Sequence, residues 1–160
     1  MRRHRWPAVP APTTGGLPIH GPRVLVALPG MLLQLTTIIA YPTGLEIRMV
    51  FTATGVAAER ARHETRALTD PADTSARWSY LQTWVCLDTL AGQADPLHPL
   101  TGSPDTAAVN QYRTAPHYWI NISPHSHTLT ITTEWTRVGL SPSRTTVQLG
   151  ANPSTLSTEH

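Results

Sequence analysis

His125 and His127 stand two residues apart in the turn "SPHSH", and on an extended chain residues so spaced share a face. Two imidazoles on one face can begin a divalent-metal site. Zinc takes three or four ligands, each oriented by an outer hydrogen bond. No Cys pair, no HExxH and no second His-x-His stands elsewhere in the chain, and "RHETR" holds His63 and Glu64 without a histidine four residues further on. The sequence therefore points to no metal and no cofactor, and the pair reads as an exposed polar turn.

Acid–base and nucleophilic chemistry find no better footing. The carboxylates are Glu46, Glu59, Glu64, Glu134, Glu159 and five aspartates. Glu46 and Glu134 alternate onto the non-core faces of their strands, where no apolar pocket marks them as catalysts. Cys86 lies in the apolar run "TWVCLD" with no basic neighbour to lower its pKa, and reads as a small buried hydrophobe. A lone cysteine also forms no internal disulfide. There is no G-x-S-x-G elbow, no phosphate loop and no dinucleotide glycine fingerprint. "NIS" at Asn121 is a glycosylation sequon in form only, since proline follows it. No residue is assigned a catalytic role. A small-ligand or hydrolase site, as an alternative, would draw on the long connection 92–116 and the turn 124–127, with His98, Asp105, His125 and His127 as its residues.

The elements that would carry these residues follow from composition and period. Charged residues are 14% of the chain, low against roughly a quarter in ordinary domains. Threonine and serine supply the polarity instead, and β-branched threonine favours strands. The 15 prolines and 10 glycines break the chain often. All 12 basic residues other than histidine are arginine, as coding bias in a GC-rich genome would give, and the net charge is only +2. Arg2, Arg3 and Arg5 sit in the N-terminal tail, and the body has no basic stripe of the kind nucleic-acid surfaces use.

Along the chain, residues 1–22 read as a flexible Pro/Arg-rich tail. "RVLVALPG" is a short strand with a turn. Leu32–Ala40 and Leu45–Thr54 read as strands flanking "YPTG", closed by a type I turn whose glycine accepts positive φ. In the second strand Leu45, Ile47, Met49 and Phe51 fall on one face by period two. The Ala-, Glu- and Arg-rich stretch predicts a surface helix from Val56 to Leu68. "RWSYLQTWVCLDTLAG" reads as a strand, with Trp78, Tyr80 and Trp84 opposite Leu81, Val85 and Leu87. "HYWINISPHSHTLTITTEW" reads as a β-hairpin, and Thr145–Leu149 as a last strand. Val24–Ala40 is short for a membrane helix and is interrupted by Pro29-Gly30. The basic start lies too far ahead of it for a secretory signal. The expected setting is cytoplasmic, away from membranes.

The segments "AYPTGLEIRMVF" and "HYWINISPHSHTLTITTEWTRVGL" resemble a group of uncharacterised actinobacterial proteins. The resemblance rests on Tyr41, Pro42, Gly44, Glu46, Tyr118, Trp119, Pro124, Glu134, Trp135 and Gly139, and covers about residues 24–150. It departs at "SPHSH", where the group has a run of prolines, and in a glycine-poor middle loop. It implies a β-sandwich and no activity.

The expectation is one all-β domain over 23–150: an antiparallel sandwich of about seven or eight strands with one short connecting helix, between tails 1–22 and 151–160. The leading reading of function is a non-enzymatic interaction module for a protein partner or a second copy, with Trp78 and Trp119 as interface aromatics. Each tryptophan fits core packing equally. A third reading is nucleic-acid binding through the arginine tail, against which the small net charge counts.

Overall fold

In the computed structural model, which describes residues 4–69, 72, 78–87, 90–97, 111–121 and 128–149, two sheets enclose one apolar core. The axis of the larger sheet is a long hairpin of β4 (Met31–Tyr41) and β5 (Gly44–Thr54), paired from Met31↔Ala53 to Tyr41↔Gly44. Period two sends Leu45, Ile47, Met49 and Phe51 inward, all fully buried. On β4 the inward residues are Leu33, Leu35 and Ile38. The three-residue step from Leu35 to Ile38 is accounted for by a register shift between Leu35 and Thr37, which inserts one residue as a bulge.

Each outer side of this hairpin is lined by two short strands laid end to end. β2 (Leu17–His20) and β3 (Arg23–Leu28) pair with β4; β8 (Gln111–Thr114) and β9 (His117–Ile120) pair with β5. Pro22 stands at the first break and Pro116 at the second. Proline has no N–H for a ladder, so each edge is cut there. The Pro116 carbonyl still accepts from Met49 N at 3.1 Å.

The smaller sheet has the order β1 (His4–Trp6), β7 (Leu90–Ala94), β6 (Gln82–Leu87), β10 (Thr128–Trp135), β11 (Leu140–Gln148). Only β1–β7 is parallel among its pairings. Val85, Leu87, Leu129, Ile131 and Trp135 face the core. Two hydroxyl pairs bridge the layers: Thr83 Oγ1 donates to Tyr118 Oη at 2.9 Å, and Tyr80 Oη meets Thr114 Oγ1 at 2.6 Å. Each of these four hydroxyls thus finds a partner without calling on water.

Helix α1 (Gly55–Thr69) leads out of β5. Ala58, Ala61 and Thr65 recur at helical spacing and are buried. The helix is therefore not a wholly solvated connection. Its small residues let it lie close on the sheet, and Arg62 donates from it to the Gln111 carbonyl of β8.

The all-β sandwich expected from composition is the observed architecture, but several details differ. Eleven strands are present among the described residues rather than seven or eight, because prolines split the edges into pieces too short to show a period. Residues 1–22 are not a loose tail throughout: β1 and β2 lie within them. Trp6 is the reason, since it is 1% exposed and its Nε1 donates to the Val85 carbonyl at 3.2 Å. His117–Trp135 is not a hairpin. β9 pairs with β5 in one sheet and β10 with β6 and β11 in the other, so this stretch crosses between layers. Alternation shows that a segment is a strand and is silent on its partner.

At "YPTG" a two-residue loop, Pro42-Thr43, closes the hairpin, and Gly44 has no positive φ. Glycine is needed there for space. A Cβ on it would strike the Ile120 carbonyl and come within 2.8 Å of the Trp119 ring. The run Val24–Ala40, read for its apolar length, is β3 and β4. No helix among the described residues is long and apolar enough to cross a membrane.

Candidate binding groove

The strand expected from Trp78 begins instead at Gln82, and residues 78–81 run irregularly up to it. Ser79 is the cause. Its N–H donates to the Glu64 carbonyl of α1 at 3.0 Å, and its hydroxyl donates to Glu64 Oε1 at 2.7 Å. The same oxygen accepts from Trp135 Nε1 at 2.8 Å. Held between helix and sheet, Ser79 turns Tyr80 and Leu81 into the core and Trp78 outward. Tyr80 and Leu81 are 6% and 3% exposed, Trp78 is 55% exposed.

Trp78 overlooks a groove of about 430 Å³. Its walls come from three strands and a helix end: Arg5 of β1, Gln93 of β7, Gln82 of β6, Leu68 of α1, and Asp95-Pro96 just past β7. Arg5 and Gln93 are direct register partners and so point the same way from adjoining strands. Arg5 donates twice to Asp95, from Nε to Oδ2 at 2.8 Å and from Nη2 to Oδ1 at 2.7 Å. This fork-on-fork geometry fixes both planes. The hydrogen bond from Arg5 to Asp95, then the carboxylate's charge, raise the guanidinium above its ordinary value. Burial drives the Tyr80 phenol well above its ordinary value, with Tyr118 adding and the Thr114 hydrogen bond opposing. Arg5 and Asp95 are thus engaged with each other, and Tyr80 directs its hydroxyl into the core.

Beyond the groove, the outward face of the smaller sheet continues in register. Gln93 lies beside Trp84, Trp84 beside Thr132, and Thr132 beside Arg144. Trp84 is half-buried there. Cys86 also lies on this face, half-buried beside Thr130 and Ala91, and not in the core as the sequence suggested.

A second polar constellation sits on the outward face of the larger sheet. Glu46 is 5% exposed. Arg48 Nε donates to its Oε1 at 2.8 Å, and His117 Nδ1 lies 3.9 Å from Oε2. Trp119 adjoins it in register and packs edge-on against Tyr41, with centroids 5.7 Å apart. Glu46 is outward-facing as expected, yet buried. Its charge is offset by Arg48, which fits a structural ion pair.

No family model, curated protein or solved structure matches this chain.

Of the residues singled out from sequence, His98, Asp105, His125 and His127 lie outside the described residues. Trp78 and Trp119 are not brought together: Trp78 opens onto the groove, whereas Trp119 is 7% exposed against Tyr41. Sequence reasoning missed Arg5, Gln82, Gln93 and Asp95, because they converge only through the β1–β7–β6 pairing. One signal was present. Trp6 sits next to Arg5 in a polar, Pro-rich segment, and a tryptophan there asks for a core to enter.

Proposed function

We propose that the chain is a non-catalytic binding module and that the groove beneath Trp78 is its recognition site. The observation that carries this reading is Trp78, a large ring more than half exposed on backbone tied down by Ser79. Rigid aromatic anchors lose little freedom on binding and dominate recognition surfaces. The polar groups around it are planar and already oriented, which suits binding. The titratable groups that line the groove are occupied with each other or turned inward, which does not suit proton transfer. Arg5 serves Asp95, which weakens the case for the N-terminal arginines as a nucleic-acid arm.

The experiment is a fragment screen by NMR on the full-length chain, labelled with ¹⁵N so that each of its 5 tryptophans gives one indole signal. Assignment uses Trp78→Phe. Fragments that bind are expected to shift the Trp78 signal, and Trp78→Ala to abolish their binding while the other four signals keep their positions. Binding that persists unchanged in Trp78→Ala would overturn the proposal.

A further inference from the structure

We infer that the groove takes a neutral carbohydrate, with one pyranose ring stacked on Trp78 and its hydroxyls met by Gln82, Gln93, Arg5 and Asp95. The inference rests on the groove being a binding site, and it names the ligand class from the chemistry of the walls.

Four observations converge. First, an aromatic ring presents a negative face, and the C–H groups on one side of a pyranose present a weakly positive apolar patch to it. Trp78 is exposed enough to receive such a patch. Second, the side walls are planar and bifunctional. Each glutamine offers a donor NH₂ and an acceptor C=O, as neighbouring sugar hydroxyls both donate and accept. Arg5 uses two of its five N–H groups on Asp95, so three remain for oxygen acceptors.

Third, the charges cancel locally. An anionic ligand drawn to Arg5 meets Asp95 at 2.7 Å from it and has to break a bidentate pair. A neutral ligand uses both groups as they stand. Fourth, the backbone around the groove is committed. Ser79 N is bonded to Glu64 O and Asp95 N to Trp6 O. Gln82 and Gln93 lie inside ladders with β10 and β6. A peptide adding as a strand needs a long free row of backbone groups, and of the lining strands only β1, three residues long, is a sheet edge. A sugar carries its hydrogen-bonding groups on its rim and needs side chains alone.

Size and continuity agree. The volume falls within the roughly 300–1,000 Å³ of small-molecule sites. Past Gln93 the outward face leads to a second aromatic surface, the half-buried Trp84, and then to Thr132. An oligosaccharide extending from Trp78 along this track meets the uncharged Gln93, Trp84 and Thr132, with one charge of each sign at its flanks, Glu134 beside Gln82 and Arg144 beside Thr132.

The test is titration of the full-length ¹⁵N-labelled chain with neutral cello-, xylo-, malto- and chito-oligosaccharides, beside an anionic oligogalacturonate and an uncharged Gly/Ser peptide. At least one neutral oligosaccharide is expected to shift the Trp78 indole saturably. Trp78→Ala is expected to weaken that binding about tenfold or more, Trp78→Phe much less, and Gln82→Ala and Gln93→Ala severalfold each. These residues lie at the surface, so unchanged thermal melting confirms that the variants fold. Saturable binding by the oligogalacturonate or the peptide alone overturns the carbohydrate assignment. So does the absence of any shift with the neutral sugars at their solubility limit. If the fragment screen succeeds while the sugars fail, the groove is a binding site and only the ligand class is wrong. If both fail, both proposals fall.

Discussion

Trp135 donates its indole N–H to the hydroxyl oxygen of Ser79 at 2.8 Å, and through that hydroxyl β10 is tied to Glu64 of the helix. The link joins an aromatic core cluster to the segment that presents Trp78. Trp135 packs against Phe51, Tyr80 and Tyr112 with centroids 5.5–6.1 Å away, so its position is fixed independently of Ser79. Ser79→Ala removes the acceptor and leaves a buried indole N–H without this partner. We expect a loss of about 1–3 kcal/mol in chemical denaturation, with added motion of Trp78 seen as a sharper indole signal. Ser79→Thr, which restores the hydroxyl, is expected to recover most of the stability.

Trp6 sets the place of the N-terminal strand. Trp6→Ala is expected to cost about 3–5 kcal/mol, the range for emptying a buried aromatic site. Deleting residues 1–10 should cost at least as much, by removing β1 entirely. A loss below about 1 kcal/mol in equilibrium unfolding would place Trp6 outside the core. For the same reason, the arginine-tail reading is tested by Arg2→Gln with Arg3→Gln in the intact chain. No change in salt-sensitive nucleic-acid binding is expected.

The sheets were legible where strands are long. The inward set Leu45, Ile47, Met49 and Phe51 follows from period two alone, and the fold class from threonine, proline and low charge. Pairing was not legible. β9 and β10 are adjacent in sequence and look like a hairpin, yet long-range partners claim them: Ile120 lies opposite Leu45, and Ile131 opposite Val85. The groove was legible only in Trp78, since Arg5 and Asp95 meet across 90 residues of sequence through a parallel pairing that no local pattern announces. Trp119, which the sequence left open between core and interface, is buried because it lies over Gly44 at the hairpin turn.

Gly44 and Gly55 make a paired prediction. At Gly44 an added Cβ meets backbone, the Ile120 carbonyl, which cannot swing aside. Gly44→Ala is expected to destabilise by about 2 kcal/mol or more, at the overpacked end of core changes. At Gly55 the surroundings are open, but φ is +61°. Gly55→Ala is expected to cost about 1–2 kcal/mol through backbone strain alone. Thermal unfolding of the two variants side by side distinguishes the causes. A Cys86→Ser control on the outward face should lie within about 0.5 kcal/mol of the parent.

Alkaline stability follows from three buried phenols. Burial raises Tyr80, Tyr112 and Tyr118 above the ordinary value of 10.0. The unfolded chain therefore loses those protons first, and the folded state binds more protons above about pH 10. Stability is fully present below that pH and falls as pH rises through it, by about 1.4 kcal/mol per pH unit for each tyrosine. Phenolate absorbance from these three is expected to appear together with loss of the near-ultraviolet dichroism. Tyr118→Phe, whose partner Thr83 then keeps a lone hydroxyl, should flatten the fall by one tyrosine's share.

The most direct measurement is a crystal structure of the full-length chain soaked with the neutral oligosaccharide or fragment that shifts the Trp78 indole most. A ring stacked on Trp78, with polar atoms reaching Gln82, Gln93 or the Arg5–Asp95 pair, is the predicted result. Ligand density on the Glu46–Arg48–His117 face, with the Trp78 groove holding only solvent, would contradict it.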